Sequence, residues 1–286
     1  MKLGFSSMNT PDELRADRLA VELEARGFES LWFGEHSHIP ASRATPYPAG
    51  GEMPDNYRTM MDPFLSLLLA ATATEHLRVG TGVALPLEHD ILDLAKTVAT
   101  LDRHSNGRLL FGVGVGWNQE ELANHRNIRW SQRYRALGEC VAALKSLWTD
   151  ETSEFHGEFF DFDPLWSLPK PVQSPHPPVL CGTGGRTGTR EALRWADAWM
   201  PMDIALGDVA KKVSRFRQAA ADAGRDPAGL PITIVAYGDP GVSTLAAYRD
   251  LGIERTIVGP DRPGWTDSAT TLPYLDKCAK MITALA

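Results

Sequence analysis

Between Leu77 and Glu121 the chain reads LRVGTGVALPLEHDILDLAKTVATLDRHSNGRLLFGVGVGWNQEE, and this stretch restricts the fold more than any other. Leu77 to Leu85 is an apolar, β-branched run interrupted by Gly80 and Gly82. Asp90 opens a helical pattern with apolar residues at Ile91, Leu94, Ala95, Val98 and Leu101; Asn106-Gly107 ends it, and Arg108 to Gly116 is a second apolar run. Runs that are apolar at nearly every position belong to strands covered on both faces. A helical crossover of this length joins parallel neighbours, and such crossovers are right-handed. The stretch is therefore a βαβ unit, with glycines toward the C-terminal ends of both strands, where backbone can approach a flat ligand.

The same alternation runs through the rest of the chain. Leu3 to Ser7 reads as a strand, and Thr10-Pro11-Asp12-Glu13 reads as the capping box of the helix after it. Ser30 to Gly34 is a second strand, and Asp62-Pro63 caps its helix after a long Pro/Gly-rich segment from Ser37 to Met61. Trp130 to Trp148 is the helix after the fourth strand, followed by a second insertion, Thr149 to His176, with a hairpin expected around His156-Gly157. Strands are expected at Pro178–Gly182, Ala198–Met202, Pro231–Tyr237 and Arg255–Gly259, with helices from Thr187, after Asp208, over Leu245–Leu251 and over Tyr274–Leu285. Eight strand–helix units in 286 residues without a linker predict one α/β domain, a (β/α)8 TIM barrel with insertions after strands two and four. The rival is an open doubly wound sheet. Both insertions fall on the C-terminal face of the strands, where barrel active sites lie, and long loops there act as lids.

Composition narrows the function classes. With 29 basic and 36 acidic residues the net charge is −7, which argues against nucleic acid or an anionic membrane as partner. Cys140, Cys181 and Cys278 form no CxxC pattern or disulfide framework, which suits a reducing cytoplasm. The N-terminal MKLGFSSMNTPDEL lacks a signal-peptide core, and no apolar run approaches the ~18 residues a spanning helix needs. A cytoplasmic enzyme acting on a small molecule is expected.

Three segments could carry chemistry. Glu35-His36-Ser37-His38 ends strand two, and His36, with an ordinary pKa of about 6.5, is placed to move a proton beside a bound ligand. The alternative is zinc held by His36 and His38 in a metal-dependent hydrolase. Gly112, Gly114 and Gly116 have the spacing GxGxG, with Trp117 where a dinucleotide fingerprint needs glycine. They either relieve crowding inside a narrow barrel or let a planar ring lie on backbone. Gly182-Thr183-Gly184-Gly185-Arg186-Thr187-Gly188 joins a strand to a helix N-terminus, and reads either as an anion site, by virtue of free N–H groups and the helix dipole, or as an ordinary Gly-rich turn.

Together, GFESLWFGEHSHIP, the Leu77–Glu121 stretch and HGEFFDFDPLWSLPKPVQSPHPPVLCGTGGRTG resemble the bacterial luciferase-like superfamily of flavin- and deazaflavin-dependent barrels, over roughly residues 1–203. The form is most similar to the branch that uses coenzyme F420. The resemblance implies a non-proline cis peptide at Gly82–Val83 behind the cofactor ring. It implies Glu35 and His36 as the catalytic pair beside the reactive edge, Gly116 and Glu120 as cofactor contacts, and Gly184, Gly185 and Arg186 as the phosphate loop. It further implies F420 as hydride carrier, with FMN in a two-component monooxygenase as the alternative, and assembly as a homodimer. A non-catalytic cofactor-binding protein is a third reading. Trp117 and Leu85 depart from the sugar-phosphate dehydrogenase branch, which has a glutamate and a hydroxyl residue there, so the substrate expected is a more apolar one.

Overall fold

The structure, a computed structural model, describes residues 1–183, 185–259 and 268–285. Among them the chain forms strands β1 (Lys2–Ser7), β2 (Ser30–Phe33), β3 (Arg78–Thr81), β4 (Leu109–Val113), β5 (Ser153–His156), β6 (Asp161–Leu165), β7 (Val179–Cys181), β8 (Ala198–Trp199), β9 (Thr233–Val235) and β10 (Arg255–Val258). The helices are α1 (Ala16–Ala25), α2 (Pro63–Thr72), α3 (Ile91–His104), α4 (Gln119–His125), α5 (Arg133–Thr149), α6 (Arg186–Trp195), α7 (Val209–Asp222), α8 (Val242–Asp250) and α9 (Ser268–Leu285). Eight strands pair in the order β8-β7-β4-β3-β2-β1-β10-β9, every pairing parallel. Two isolated parallel bridges, Trp199 with Ile232 and Met202 with Val235, join the first strand of that order to the last and close a (β/α)8 barrel. The doubly wound alternative is thereby set aside.

The organising unit folds as its pattern dictates. Asp90 caps α3, its carboxylate accepting the Leu92 and Asp93 N–H groups at 2.9 and 3.3 Å. Asn106 (φ 52°) and Gly107 (φ 74°) turn the chain into β4, which is buried at all five positions. β3 is shorter than its apolar run: it stops at Thr81, the Gly82–Val83 peptide is cis, and Ala84 rejoins the sheet through a bridge to Val113. β8 is also cut short, because Pro201 has no N–H to extend the ladder. Asp62 and Asp208 cap α2 and α7 as expected.

Two expectations need correction. Thr10 does not cap α1, which starts at Ala16. Residues 10–13 instead form a turn whose Glu13 carboxylate is drawn back to the Ser7 hydroxyl and the Thr10 N–H, so the capping chemistry closes a loop over the end of β1. A short helix, α4, precedes the one expected at Trp130, capped by Asn118. The β5–β6 hairpin lies where the His156-Gly157 turn put it.

The barrel interior is filled rather than hollow. Trp32, Leu110, Leu180, Ala198, Met200 and Ile257 form its layer, with Val83 and Val235 packed against it. Trp32 has no exposed surface and donates its indole N–H to Ser30 Oγ at 2.8 Å. Its bulk dictates the neighbouring glycine: a Cβ at Gly80 would lie 2.5 Å from the Trp32 ring.

Candidate active site

β2 delivers Gly34, Glu35 and His36 to the C-terminal rim. The His36 side chain is 8% exposed and makes two contacts of different character. Nδ1 lies 2.7 Å from Glu121 Oε2, and Nε2 lies 3.1 Å from the Trp117 indole nitrogen. An indole nitrogen only donates, so Nε2 carries the lone pair and Nδ1 donates its proton to the carboxylate. Glu121 is 1% exposed, and its other oxygen, Oε1, has no hydrogen-bond partner.

Glu35 stands beside His36 in sequence but faces elsewhere. Its two oxygens accept the Leu85 N–H at 2.6 Å and meet His89 Nε2 at 2.7 Å. It therefore ties β2 to the chain just beyond the cis peptide. Burial opposes the charged form of His89, but the Glu35 bond and charge outweigh it and raise its pKa. The acidic partner of His36 is Glu121, which the sequence reading did not single out.

The first insertion closes over this corner. Tyr47 and Tyr57 pack edge-on to each other (5.4 Å between centroids) and to Trp117 (5.8 and 6.3 Å), and Tyr57 also meets the His36 ring at 5.5 Å. Burial, with the Tyr47 hydroxyl beside it, pushes the Tyr57 phenol up. Arg43 covers the Trp117 face at 5.3 Å. Glu120 holds the lid down, accepting the Thr45 hydroxyl at 2.6 Å and the Ala44 and Thr45 N–H groups at 2.6 and 3.1 Å. The Thr45 hydroxyl bond, reinforced by those amides, brings its carboxyl down to about 2 despite some desolvation. Glu120 thus spends its oxygens on the lid.

The glycines divide by role. At Gly114 a Cβ would fall 2.7 Å from Val83 Cγ2, and at Gly182 another would fall 2.5 Å from Val83 Cγ1, so β4 and β7 make room for the Val83 side chain. The crowding-relief reading holds there. Gly116 has φ 67°, a conformation that disfavours side chains. Gly34 lies over the bulge, where a Cβ would sit 3.5 Å from the Gly82 carbonyl oxygen. Gly184 lies outside the described residues. Gly185 precedes α6 with open space around it and no side-chain cap on the helix, and Arg186 is exposed at its first position.

His38 is engaged with Ser37 Oγ (2.8 Å) and Asn124 (2.8 Å), and among the described residues no three His, Cys, Asp or Glu side chains converge as for a metal ion. No helix among them is long and apolar enough to cross a membrane.

One carboxyl behind His36 has an unusual state. The Glu88 side chain is 4% exposed, its Oε2 has no hydrogen-bond partner among the described residues and only His125 Nε2 at 3.7 Å near it, and burial, then Glu121 and Glu35, push its pKa up to about 9. Between the ordinary value near 4.5 and about 9 the folded protein keeps a proton that the unfolded chain releases. This group's contribution therefore falls as pH rises through that window. Glu88→Gln, which mimics the neutral acid, is expected to raise Tm by about 2 °C or more at pH 8 and to leave it unchanged near pH 4.5. A thermal scan showing no pH-dependent gain would contradict this assignment.

The described geometry suits a flat ring with a phosphorylated tail. The rim carries the Gly82–Val83 bulge under Gly34, a histidine at one edge, and an uncapped helix N-terminus beside Arg186 for a phosphate. The sequence profile of the luciferase-like monooxygenase family matches residues 5–247. An uncharacterized protein of Mycobacterium tuberculosis is 40% identical over 257 residues, covering 86% of both chains. An F420-dependent hydroxymycolic acid dehydrogenase from the same organism is 28% identical over 232 residues, 79% of this chain and 60% of that one. Flavin-dependent monooxygenases are also among the relatives. A solved F420-dependent secondary alcohol dehydrogenase, in complex with an F420–acetone adduct, superposes with a TM-score of 0.78 at 18% identity, covering 100% of this chain and 99% of that one. The chain belongs to the luciferase-like monooxygenase family, and it is an oxidoreductase built on that family's (β/α)8 barrel.

Proposed function

We propose that the protein is a coenzyme F420-dependent oxidoreductase. In this reading hydride passes between the deazaflavin and a small organic substrate at the barrel mouth, and His36 takes or gives the accompanying proton. The observation that carries the reading is the His36 imidazole itself, held on Glu121 through Nδ1, with Nε2 at the rim accepting the Trp117 indole N–H. When bound, the coenzyme supplies a hydride-accepting or hydride-donating carbon.

The chain's own residues do the rest. Gly82 and Val83 would back the ring, Gly116 would admit backbone close to it, and Gly185 and Arg186 would hold the phosphate. Trp117, Tyr47 and Tyr57 exclude water and present an aromatic wall, which favours an apolar substrate bearing an activated C=C, C=N or carbonyl group. Support for F420 comes from the F420-dependent mycobacterial relative. The flavin-dependent relatives support the second reading, an FMN-dependent monooxygenase on the same barrel.

Parallel fluorescence titrations of the purified protein with F420 and FMN distinguish the two. F420 is expected to bind at least ~10-fold more tightly, a difference of about 1.4 kcal/mol. Equal affinities, or tighter FMN, would turn the assignment to the monooxygenase.

A further inference from the structure

Away from the lid, α6 and α7 flank a groove of about 1180 Å³ on the outside of the barrel. Arg186, Arg190 and Arg194 line one wall, and Lys212, Arg215 and Arg225 line the other. Asp222 is the one acidic residue in the lining and Glu191 sits beside the lining on α6, so six cations face two anions on a chain whose net charge is −7.

These cations are not all spent on the fold. Arg225 donates to the carbonyls of Leu193 and Ala196, and Arg190 and Arg194 share Glu191 at 3.1 Å, with their side chains 68% and 70% exposed. The shared Glu191 carboxylate is largely buried, so these two arginines stay on it, but each guanidinium carries five donors and its exposed edge can take a further carboxylate. Among the described residues, the side chains of Arg186, Lys212 and Arg215 have no hydrogen-bond or ion-pair partner. The groove floor is closed: Trp199 and Phe216 stack on each other at 4.3 Å and are 2% and 4% exposed.

Each feature removes a class of ligand. At about 1180 Å³ the groove exceeds the ~300–1,000 Å³ usual for small-molecule pockets. Its aromatic rings are buried, so bases have no platform to stack on, as single-stranded nucleic acid requires. What fits is an extended chain carrying carboxylates. The spacing agrees: arginines four apart on α6 are separated by ~6 Å along the helix, and alternate side chains of an extended peptide by ~6.6–6.8 Å. An acidic residue at every second position would therefore set one carboxylate against each arginine, a geometry the guanidinium fork matches.

We propose that this groove is a docking site for an extended acidic peptide segment of a partner protein. The proposal stands apart from the cofactor assignment, except that Arg186 lies at the edge of both sites.

The test is fluorescence anisotropy of the full-length protein with a labelled peptide of alternating Glu and Ser, against the same peptide with Lys for Glu. Binding is expected only for the acidic peptide, weakening by ~10-fold or more when salt rises from about 50 to about 300 mM. The Arg190→Glu/Arg215→Glu double variant is expected to lose at least ~10-fold, and Arg190→Lys/Arg215→Lys to stay within ~3-fold. The lysine variant, with an unchanged circular dichroism spectrum, guards against a folding defect. Absent or sequence-blind binding, or affinity untouched by charge reversal, would overturn the proposal. Complete displacement of the peptide by saturating F420 would assign the cations to the coenzyme and overturn it equally. If instead FMN outcompetes F420 at the ring site while the acidic peptide still binds, the cofactor assignment alone fails.

Discussion

His36→Ala is expected to lower turnover by roughly 10²–10⁴-fold while leaving the affinity for the cofactor near its original value. The side chain touches the rim through Nε2 and makes no contact with the α6 end of the site, so the tail anchor survives its loss. Truncation also strips Glu121 of its one side-chain partner. A carboxylate that is 1% exposed would then have no hydrogen bond on either oxygen, at a cost of about 1–3 kcal/mol in stability. His36→Gln separates the two effects, since its amide still donates to Glu121 but cannot carry a proton. Single-turnover reaction of the reduced coenzyme with an acceptor found by panel screening gives the readout. If hydride transfer in both variants keeps the wild-type rate, His36 has no part in the chemistry.

Gly112→Ala is expected to be the most destabilising single methyl that can be added to the barrel. A Cβ there would stand 2.1 Å from the Thr81 carbonyl oxygen, and that oxygen belongs to sheet backbone and cannot swing aside. The Gly112 carbonyl is itself fixed by the Thr81 hydroxyl at 2.6 Å and the Ala84 N–H at 2.8 Å, so β4 cannot retreat without losing both bonds. We expect a loss of about 4 kcal/mol or more, a drop in Tm of roughly 10 °C, or failure to accumulate as folded protein. Gly185→Ala is the control: with open space around it and φ −80°, it is expected to stay within about 0.5 kcal/mol of wild type. Denaturant melts of the two variants check both statements, and a Gly112→Ala protein as stable as the control would refute the steric argument.

The contrast between these two glycines shows what the sequence can and cannot reveal. Alternating apolar runs and helical periods specified eight parallel strands, and Asp62, Asp90 and Asp208 marked three helix starts that the structure keeps. Those signals are local. The meaning of Gly112, Gly114 and Gly182 is not, because it depends on what a distant part of the chain places opposite, the Thr81 carbonyl for the first and the Val83 side chain for the other two. Glu120 and Glu121 make the same point at the site. Adjacent helical residues point about 100° apart, so one carboxylate reaches the lid and the other reaches His36. Nothing in the pair GluGlu separates the roles, although Asn118 capping a helix just after the glycine run was a signal for α4 that could have been read. The start of α1 was misplaced for a related reason, since Glu13 found a stronger partner in Ser7 than in the helix it should have capped. The resemblance supplied what periodicity could not, the cis peptide at Gly82–Val83.

The closure between β8 and β9 has a mechanical consequence. Seven of the eight joints around the cylinder are laddered, whereas this one is fastened at two points, Trp199 to Ile232 and Met202 to Val235. A hoop riveted so sparsely at one place yields there first. Breathing of the barrel is therefore expected to begin at this seam, which lies across the barrel from β2 and the His36 rim.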